Sequence, residues 1–297
     1  MNYDEERAIV TELPQIDKLP DLTAFADNGL GVAAFDGEKM LGFLCCHNPW
    51  NNAFNSAIRG TFSPIHAHGA IKENRSMIYK RLYQSAAEKW VKKKIAYHSI
   101  ALYAHDSESI EAMFSYGFGL RCVDAVRAMK PIASISPKHD KNIAFCETAE
   151  SDIGKIRDMR IMLAEHLGAS PSFMSLPQDI LNKWLDRKEK NNSRIFAATN
   201  NGKYIAFIEV TDSGENFATE ASNMLNICGA FCLPEFRGSG VFQDLLNHAI
   251  ISLKAEGYTK LGVDFEGFNP TASGFWLKHF TPYTKGVVRR IDECAII

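Results

Sequence analysis

Cys228-Gly229-Ala230-Phe231-Cys232-Leu233-Pro234-Glu235-Phe236-Arg237-Gly238-Ser239-Gly240-Val241 is the stretch that decides how this chain folds. It reads as the end of an apolar strand, a tight Arg-Gly-Ser-Gly turn and the first turn of an amphipathic helix. A strand that breaks into a helix through two glycines aims successive backbone N–H groups at one point. The helix N-terminus adds partial positive charge there, so the turn suits a phosphate or pyrophosphate. Gly238 and Gly240 let the chain take φ angles, and approach an anion to distances, that a Cβ would obstruct. Arg237 adds a charge-assisted contact to the same group.

The flanks agree with this reading. Residues 224–231 are almost continuously apolar, as a buried strand requires. Downstream, Phe242, Leu245, Leu246, Ala249 and Leu253 fall at helical spacing, Gln243, Asp244, Asn247 and Lys254 take the other face, and Gly257 supplies the stop. The turn lacks the Gly-Lys-Ser/Thr ending of a P-loop and the third glycine of a dinucleotide fingerprint. A second short strand is expected at 260–265. Asn269 then forms an N-cap and Pro270 the first residue of a further helix that carries Ala272, Phe275 and Trp276.

The order strand, Arg-Gly-x-Gly turn, helix, strand, Asn-x-x-Ala-x-x-Phe-aromatic helix resembles the GNAT superfamily of acyl-CoA-dependent N-acyltransferases. The resemblance covers the second half of the chain. Residues 143–148 stand for the family's first strand, 151–168 and 178–190 for its two early helices, and 194–200 with 203–210 for its hairpin, joined by an Asn-Asn-Gly turn. The resemblance implies that the central strands splay and that the pantetheine arm of acetyl-CoA, a co-substrate, pairs with the first of them as an added strand would. Backbone groups of Phe231, Cys232 and Leu233 would meet pantetheine. Arg237, Gly238, Ser239, Gly240, Val241 and Phe242 would hold the pyrophosphate. Asn269, Phe275 and Trp276 would flank the thiol end. Many members carry a tyrosine where Trp276 stands, and an indole has no usefully acidic proton. Tyr283 or His279 is the substitute to look for, although a CoA thiol leaves readily unaided.

For the base, Asp264 and Glu266 lie two apart on one strand and share a face. A carboxylate beside an apolar cleft has its pKa raised, which suits removal of a proton from an ammonium. The plain alternative is that either acid pairs with a neighbouring charge. Asn226 can orient a water, polarise the thioester carbonyl or satisfy a nearby backbone group. The mechanism implied is direct transfer of an acetyl group to a primary amine in a ternary complex. Cys228 and Cys232 read as small core residues, since no histidine is placed to activate them.

The chain has 297 residues, enough for two domains, each with its own core. A net charge of −2 speaks against a dedicated nucleic-acid binder. No apolar run reaches membrane-spanning length, so no membrane partner is expected. Seven cysteines without Cys-x-x-Cys pairs indicate neither a disulfide framework nor a zinc ribbon. The acidic start, Met1 to Glu6, argues against a signal peptide, and a reducing cytoplasm is the expected location. A homodimer is compatible with these features.

The first half repeats the plan of the second. Residues 31–35 and 40–46 form a hairpin, 62–71 take the slot of the pyrophosphate strand, 75–94 form a long helix and 97–104 match the strand at 260–266. Residues 107–116 match the last helix, and a strand at 120–129 would close the unit. Where the second half has its glycine turn, the first has His66-Ala67-His68-Gly69-Ala70-Ile71-Lys72-Glu73-Asn74-Arg75, with one glycine and a late arginine. This copy is therefore expected to bind no CoA, or to bind it poorly. The fold expected is α+β (α/β): two tandem copies, each a mixed, mostly antiparallel sheet flanked by helices, with splayed central strands in the second. The degenerate copy spans 1–130, a Pro/Ser-rich linker 131–141 and the acyl-CoA-binding domain 142–297.

His47, His66, His68, His98 and His105 cluster in the first half, but no cysteine or carboxylate at ligand spacing joins them, and no metal is expected. Residues 168–177, with Phe173 and Met174, would form one lip of the acceptor slot. Asp212, Glu215 and Glu220 near the hairpin do not amount to an acidic one, so the acceptor is left open between a small-molecule and a peptide amine. Two other readings fit parts of the pattern. A non-catalytic acyl-CoA sensor would keep the Arg237 turn without a working base. A transferase using aminoacyl-tRNA would share the doubled architecture but carry a basic surface.

Overall fold

A computed structural model describes residues 2–133, 142–190 and 193–296. The first half begins with α1 (Asn2–Ile9) and α2 (Thr23–Ala26), followed by the hairpin β1 (Val32–Asp36) and β2 (Lys39–Leu44). Next come β3 (Gly60–Ser63), β4 (His68–Ala70), α3 (Arg75–Lys92), β5 (Tyr97–Tyr103), α4 (Ser107–Phe114) and β6 (Gly119–Ala128). The second half runs β7 (Ile143–Glu147), α5 (Arg157–Gly168), α6 (Gln178–Lys190), β8 (Arg194–Asn200) and β9 (Lys203–Thr211). It finishes with β10 (Met224–Cys232), α7 (Val241–Ala255), β11 (Lys260–Glu266), α8 (Pro270–His279) and β12 (Thr281–Arg290).

Each half contains one parallel strand pair joined by a helix, β3 with β5 and β10 with β11; the other pairings are antiparallel. The doubled, mixed sheet flanked by helices is thus present. The helix spacing read from the sequence also holds. Leu245, Leu246, Ala249 and Leu253 of α7 are fully buried, as are Ala86 and Trp90 of α3, whose indole N–H donates to Leu30 O at 3.1 Å.

Two features depart from the expected plan. The strand foreseen at 62–71 is broken: β3 starts at Gly60 and ends before Pro64, whose missing N–H cannot continue a ladder, and β4 then pairs with β2 in a separate sheet of order β1-β2-β4. The second departure is larger. The strand expected to close the first half closes the second instead. β6 pairs antiparallel with β11, and β12 pairs antiparallel with β5, so the two halves exchange their last strands within one sheet of order β3-β5-β12-β6-β11-β10-β9-β8-β7. Val287 of β12 is buried in the core of the first half, while Val123 and Ala125 of β6 are buried in the core of the second. Alternation along a strand says which face is buried; it does not say which neighbour the strand takes.

Residues 134–141 of the expected linker lie outside the described residues. Its start runs along α7, where Asn247 Oδ1 accepts from Ile132 N and Gln243 Nε2 donates to Ala133 O, both at 2.8 Å. Among the described residues no helix is long and apolar enough to cross a membrane.

Candidate active site

β10 and β11 run parallel from Met224 opposite Lys260 to Ile227 opposite Val263, and there their pairing stops. The register of β10 against β9 shifts between Ile227 and Gly229, so Cys228 is a bulged residue. Beyond this point β10 follows β9 while β11 follows β6. A buried ion cluster backs the bulge. Glu209 lies opposite Gly229 and is held by Arg160 Nη2 and Lys188 Nζ, each at 3.1 Å, and by Ser193 Oγ at 2.7 Å. Burial alone would raise the Glu209 carboxyl; Lys188, Ser193 and Arg160 outweigh it and hold the group below its usual range. Burial pushes the Cys228 thiol up to about 11, so it is no thiolate at neutral pH.

The opening between β10 and α8 is a groove of about 440 Å³. Phe231, Cys232, Arg237 and Gly238 line one side of it, and Phe242, Asn269, Phe275 and Trp276 the other. Eight of the residues singled out in the sequence therefore converge here. Leu233, Ser239, Gly240 and Val241 shape the turn without lining the groove: Ser239 Oγ donates to Phe236 O at 2.7 Å, and Val241 is buried under the helix. Gly238 and Gly240 have φ of 75° and 90°, values that an L side chain rarely adopts. The N–H groups of residues 241–243 start α7 and have no partner inside the helix. Arg237 Nε donates to Cys232 O at 3.0 Å and the guanidinium stacks on Phe231, which leaves the exposed Nη groups for an anion. Asn269 caps α8, its Oδ1 accepting from Thr271 N at 3.2 Å. Trp276 packs in a ladder with Phe242, Phe275 and Phe280, and it is buried.

A second cavity, of about 740 Å³, lies over the sheet between the two halves. Asp264 and Glu266 both line it, confirming that they share a face. Two acids not foreseen as site residues join them: Asp124, directly opposite Asp264 on β6, and Glu215. The acidic slot that residues 212–220 alone did not reveal is thus assembled by the exchanged strand. Arg121 Nε lies 3.6 Å from Glu266 Oε2, its Nη1 donates to Tyr97 OH at 3.0 Å, and its guanidinium covers Phe54. Asp264 accepts no hydrogen bond from any described residue. Burial raises its pKa well above the usual value, and the charges of Glu215, Asp124 and Glu266 add to the effect. Asp124 is pushed up to about 6, chiefly by burial, against hydrogen bonds from Thr284 Oγ1 at 2.6 Å and Asn216 Nδ2 at 2.8 Å.

Between the two cavities lies a third, lined by Phe173 and Met174 of the expected lip. It shares Leu163 with the groove and Phe54 and Arg121 with the acidic cavity, so the three spaces lie side by side along the parted strands.

Asn226 and Tyr283 are not brought to these spaces. Asn226 is buried and donates to Thr219 O at 3.1 Å, the backbone-satisfying alternative. Tyr283, foreseen as a proton donor, lines neither cavity; its hydroxyl accepts from Asn216 Nδ2 at 3.0 Å beneath Asp124. Burial and the Asp124 charge raise its pKa well above 10, which makes it a weaker acid. Tyr283 sits where the register of β12 shifts, which strand alternation does not predict.

The matching opening of the first half is bridged by its own side chains and keeps a cavity of about 220 Å³, against about 440 Å³ in the second half. His68 bridges the gap between β4 and β5, with Nε2 2.6 Å from Ala101 O and Nδ1 2.8 Å from Tyr79 OH. Arg75 at the start of α3 is taken by Glu5 of α1, through two contacts at 2.8 and 3.1 Å. His98 is a core histidine, bonded to Tyr83 OH at 2.9 Å. Among the described residues no three His, Cys, Asp or Glu are grouped to hold a metal ion.

Residues 160–280 match the model of the Acetyltransferase (GNAT) family. Among solved structures, a GCN5-related N-acetyltransferase from Sphaerobacter thermophilus is 12% identical, with TM-score 0.57 over 91% of this chain and 82% of that one. A GCN5-related glucosamine N-acetyltransferase region of a fungal multi-domain GH3 beta-N-acetylglucosaminidase is 14% identical, with TM-score 0.51; the alignment covers 85% of this chain and 32% of that one. A tandem GNAT protein from the clavulanic acid biosynthesis pathway is 12% identical, with TM-score 0.47, over 97% of this chain and 92% of that one. At such identities the likeness is one of fold. No curated protein matches the sequence. The second half thus carries the match to the GNAT acetyltransferase model, and the doubled plan is a feature of the fold of the whole chain.

Proposed function

We propose that this protein moves an acetyl group from acetyl-CoA to a primary amine by direct attack in a ternary complex. The parting of β10 from β11 at Ile227 and Val263, with the Arg237 turn at one end of the opening and Asp264 at the other, carries this reading. The pyrophosphate would rest on the N–H groups opening α7, with Arg237 beside it. Pantetheine would take the unpaired edge of β10 past Cys228. Asp264 would accept a proton from the acceptor ammonium. The freed lone pair would attack the thioester carbonyl carbon, the C–S bond would break, and CoA would leave to be protonated as a thiol. The balance is one amide, one CoA thiol and one proton released. The bulged backbone at Cys228 offers an N–H to the oxyanion. The raised Cys228 thiol speaks against a covalent acyl-cysteine step.

Only the second copy is expected to bind. Calorimetry with acetyl-CoA should show one site per chain, weakened by about a hundredfold or more in Arg237→Glu, which replaces an attractive charge by a repulsive one. Two equal sites would contradict the bridging of the first opening by His68. An unaffected mutant would show that the turn is not the docking point.

A further inference from the structure

The acceptor face of these spaces is more specific than the transfer chemistry requires. Asp124 and Asp264 are direct cross-strand neighbours on β6 and β11, and like charges so placed repel. Neither they nor Glu215 forms an ion pair with any described residue, since Arg121, the cation in the cavity, is turned to Glu266. Asp124 is 8% exposed and has only neutral donors, Thr284, Asn216 and the Cys122 thiol. Burying ionised carboxylates without a cation is costly, so Asp124 and Asp264 either keep their protons or are matched by positive charge supplied from outside.

Two independent observations point to an organic ligand. Ser99, 5% exposed, lines the same cavity, and its hydroxyl forms no hydrogen bond with any described residue. The opposite wall is aromatic and comes from the first half: Phe25, Trp50, Phe54 and Phe62, with His47 between Phe25 and Phe62. Burial lowers the pKa of His47, so it is neutral near pH 7 and does not repel a cation. Carboxylates facing aromatic rings across a space of about 740 Å³ suit an alkylammonium chain, whose charges meet the acids and whose carbons and N–H faces meet the rings.

We propose that the acceptor is a small organic dication, a diamine or polyamine, with its second ammonium held by Asp124 and Glu215 while the amine to be acylated sits at Asp264. Recognition of the acceptor is then the task of the copy that binds no CoA, delivered through β6. Asp124 is a specificity-determining residue in this scheme. The inference rests on the transferase reading above.

The test compares 1,4-diaminobutane with n-butylamine as acceptors, following free CoA thiol, in wild type, Asp124→Asn and Glu215→Gln. The expected result is a kcat/KM for the diamine about ten- to a hundredfold above that for the monoamine. Either variant should shrink this preference, chiefly by raising KM for the diamine. In parallel, 1,4-diaminobutane alone should raise the Tm of wild type without acetyl-CoA, more than n-butylamine does, and the shift should be smaller in Glu215→Gln, whose substitution lies on an exposed loop and spares the fold. Equal KM values for both amines together with equal Tm shifts would overturn the proposal, whether or not acetyl-CoA binds. A diamine-specific shift in a protein that fails to bind acetyl-CoA would uphold the cation site and sink the transferase reading alone.

Discussion

Asp264→Asn is expected to lower kcat by about a hundredfold to ten-thousandfold while leaving acetyl-CoA affinity unchanged, because general-base help of this kind is worth that much. Asp264 is the first residue of β11 past the parting with β10 that faces the acidic cavity, and no hydrogen bond from a described residue holds it in its ionised form. Glu266 faces the same cavity but is turned to Arg121, so Glu266→Gln should cost far less. The pH dependence follows from the sign of the shift. A base must be ionised to work, so kcat/KM should fall as pH falls through the raised carboxylate pKa. Asp264 is raised by burial and by Glu215, Asp124 and Glu266, with Lys188 opposing; Asp124, its cross-strand neighbour, is raised to about 6. A pH–rate profile of Asp264→Asn should lose the wild-type limb. A profile and kcat like those of wild type would remove Asp264 from the chemistry and leave the base to Glu266 or to water.

Val287→Ala should destabilise the whole molecule by about 1–3 kcal/mol, the cost of truncating a fully buried side chain. Val287→Asp should prevent stable folding, since it places a carboxylate in a dry core. The consequence to watch is cooperativity. Val287 belongs by sequence to the second copy and by packing to the first, and β12 lies between β5 and β6 in the middle of the large sheet. Neither copy can lose its last strand without opening the other. Scanning calorimetry should therefore show one unfolding transition, shifted as a unit in Val287→Ala. Two transitions, with only one displaced, would show that the exchanged strands do not couple the halves.

Much of this architecture could be read beforehand, and for definite reasons. The turn at 237–240 carries its own backbone chemistry, and the stripe of Leu245, Leu246, Ala249 and Leu253 reports its own burial, so the groove residues from Phe231 to Trp276 could be named. The acidic cavity could not, because Asp124 and Asp264 are 140 residues apart and meet only through the exchange of β6 and β12. A local signal did exist. Asp124 stands alone between Val123 and Ala125, just as Asp264 stands between Val263 and Phe265, and an acid inside an apolar strand faces something other than the core. The aromatic wall was hidden differently. Trp50 and Phe54 lie in irregular chain between β2 and β3, where no periodicity marks a face. Tyr283 was misplaced for a similar reason, since the register of β12 shifts between Pro282 and Thr284 and alternation fails there.

In this scheme the parted strands and the turn beside them receive acetyl-CoA. A crystal structure of the protein soaked with CoA tests it most directly. The expected result is the pyrophosphate on the amides of residues 238–243, pantetheine along β10 from Gly229 to Phe231, and the sulfur facing Asp264. CoA bound at the His68 groove of the first half, or across the face away from α7, would contradict it.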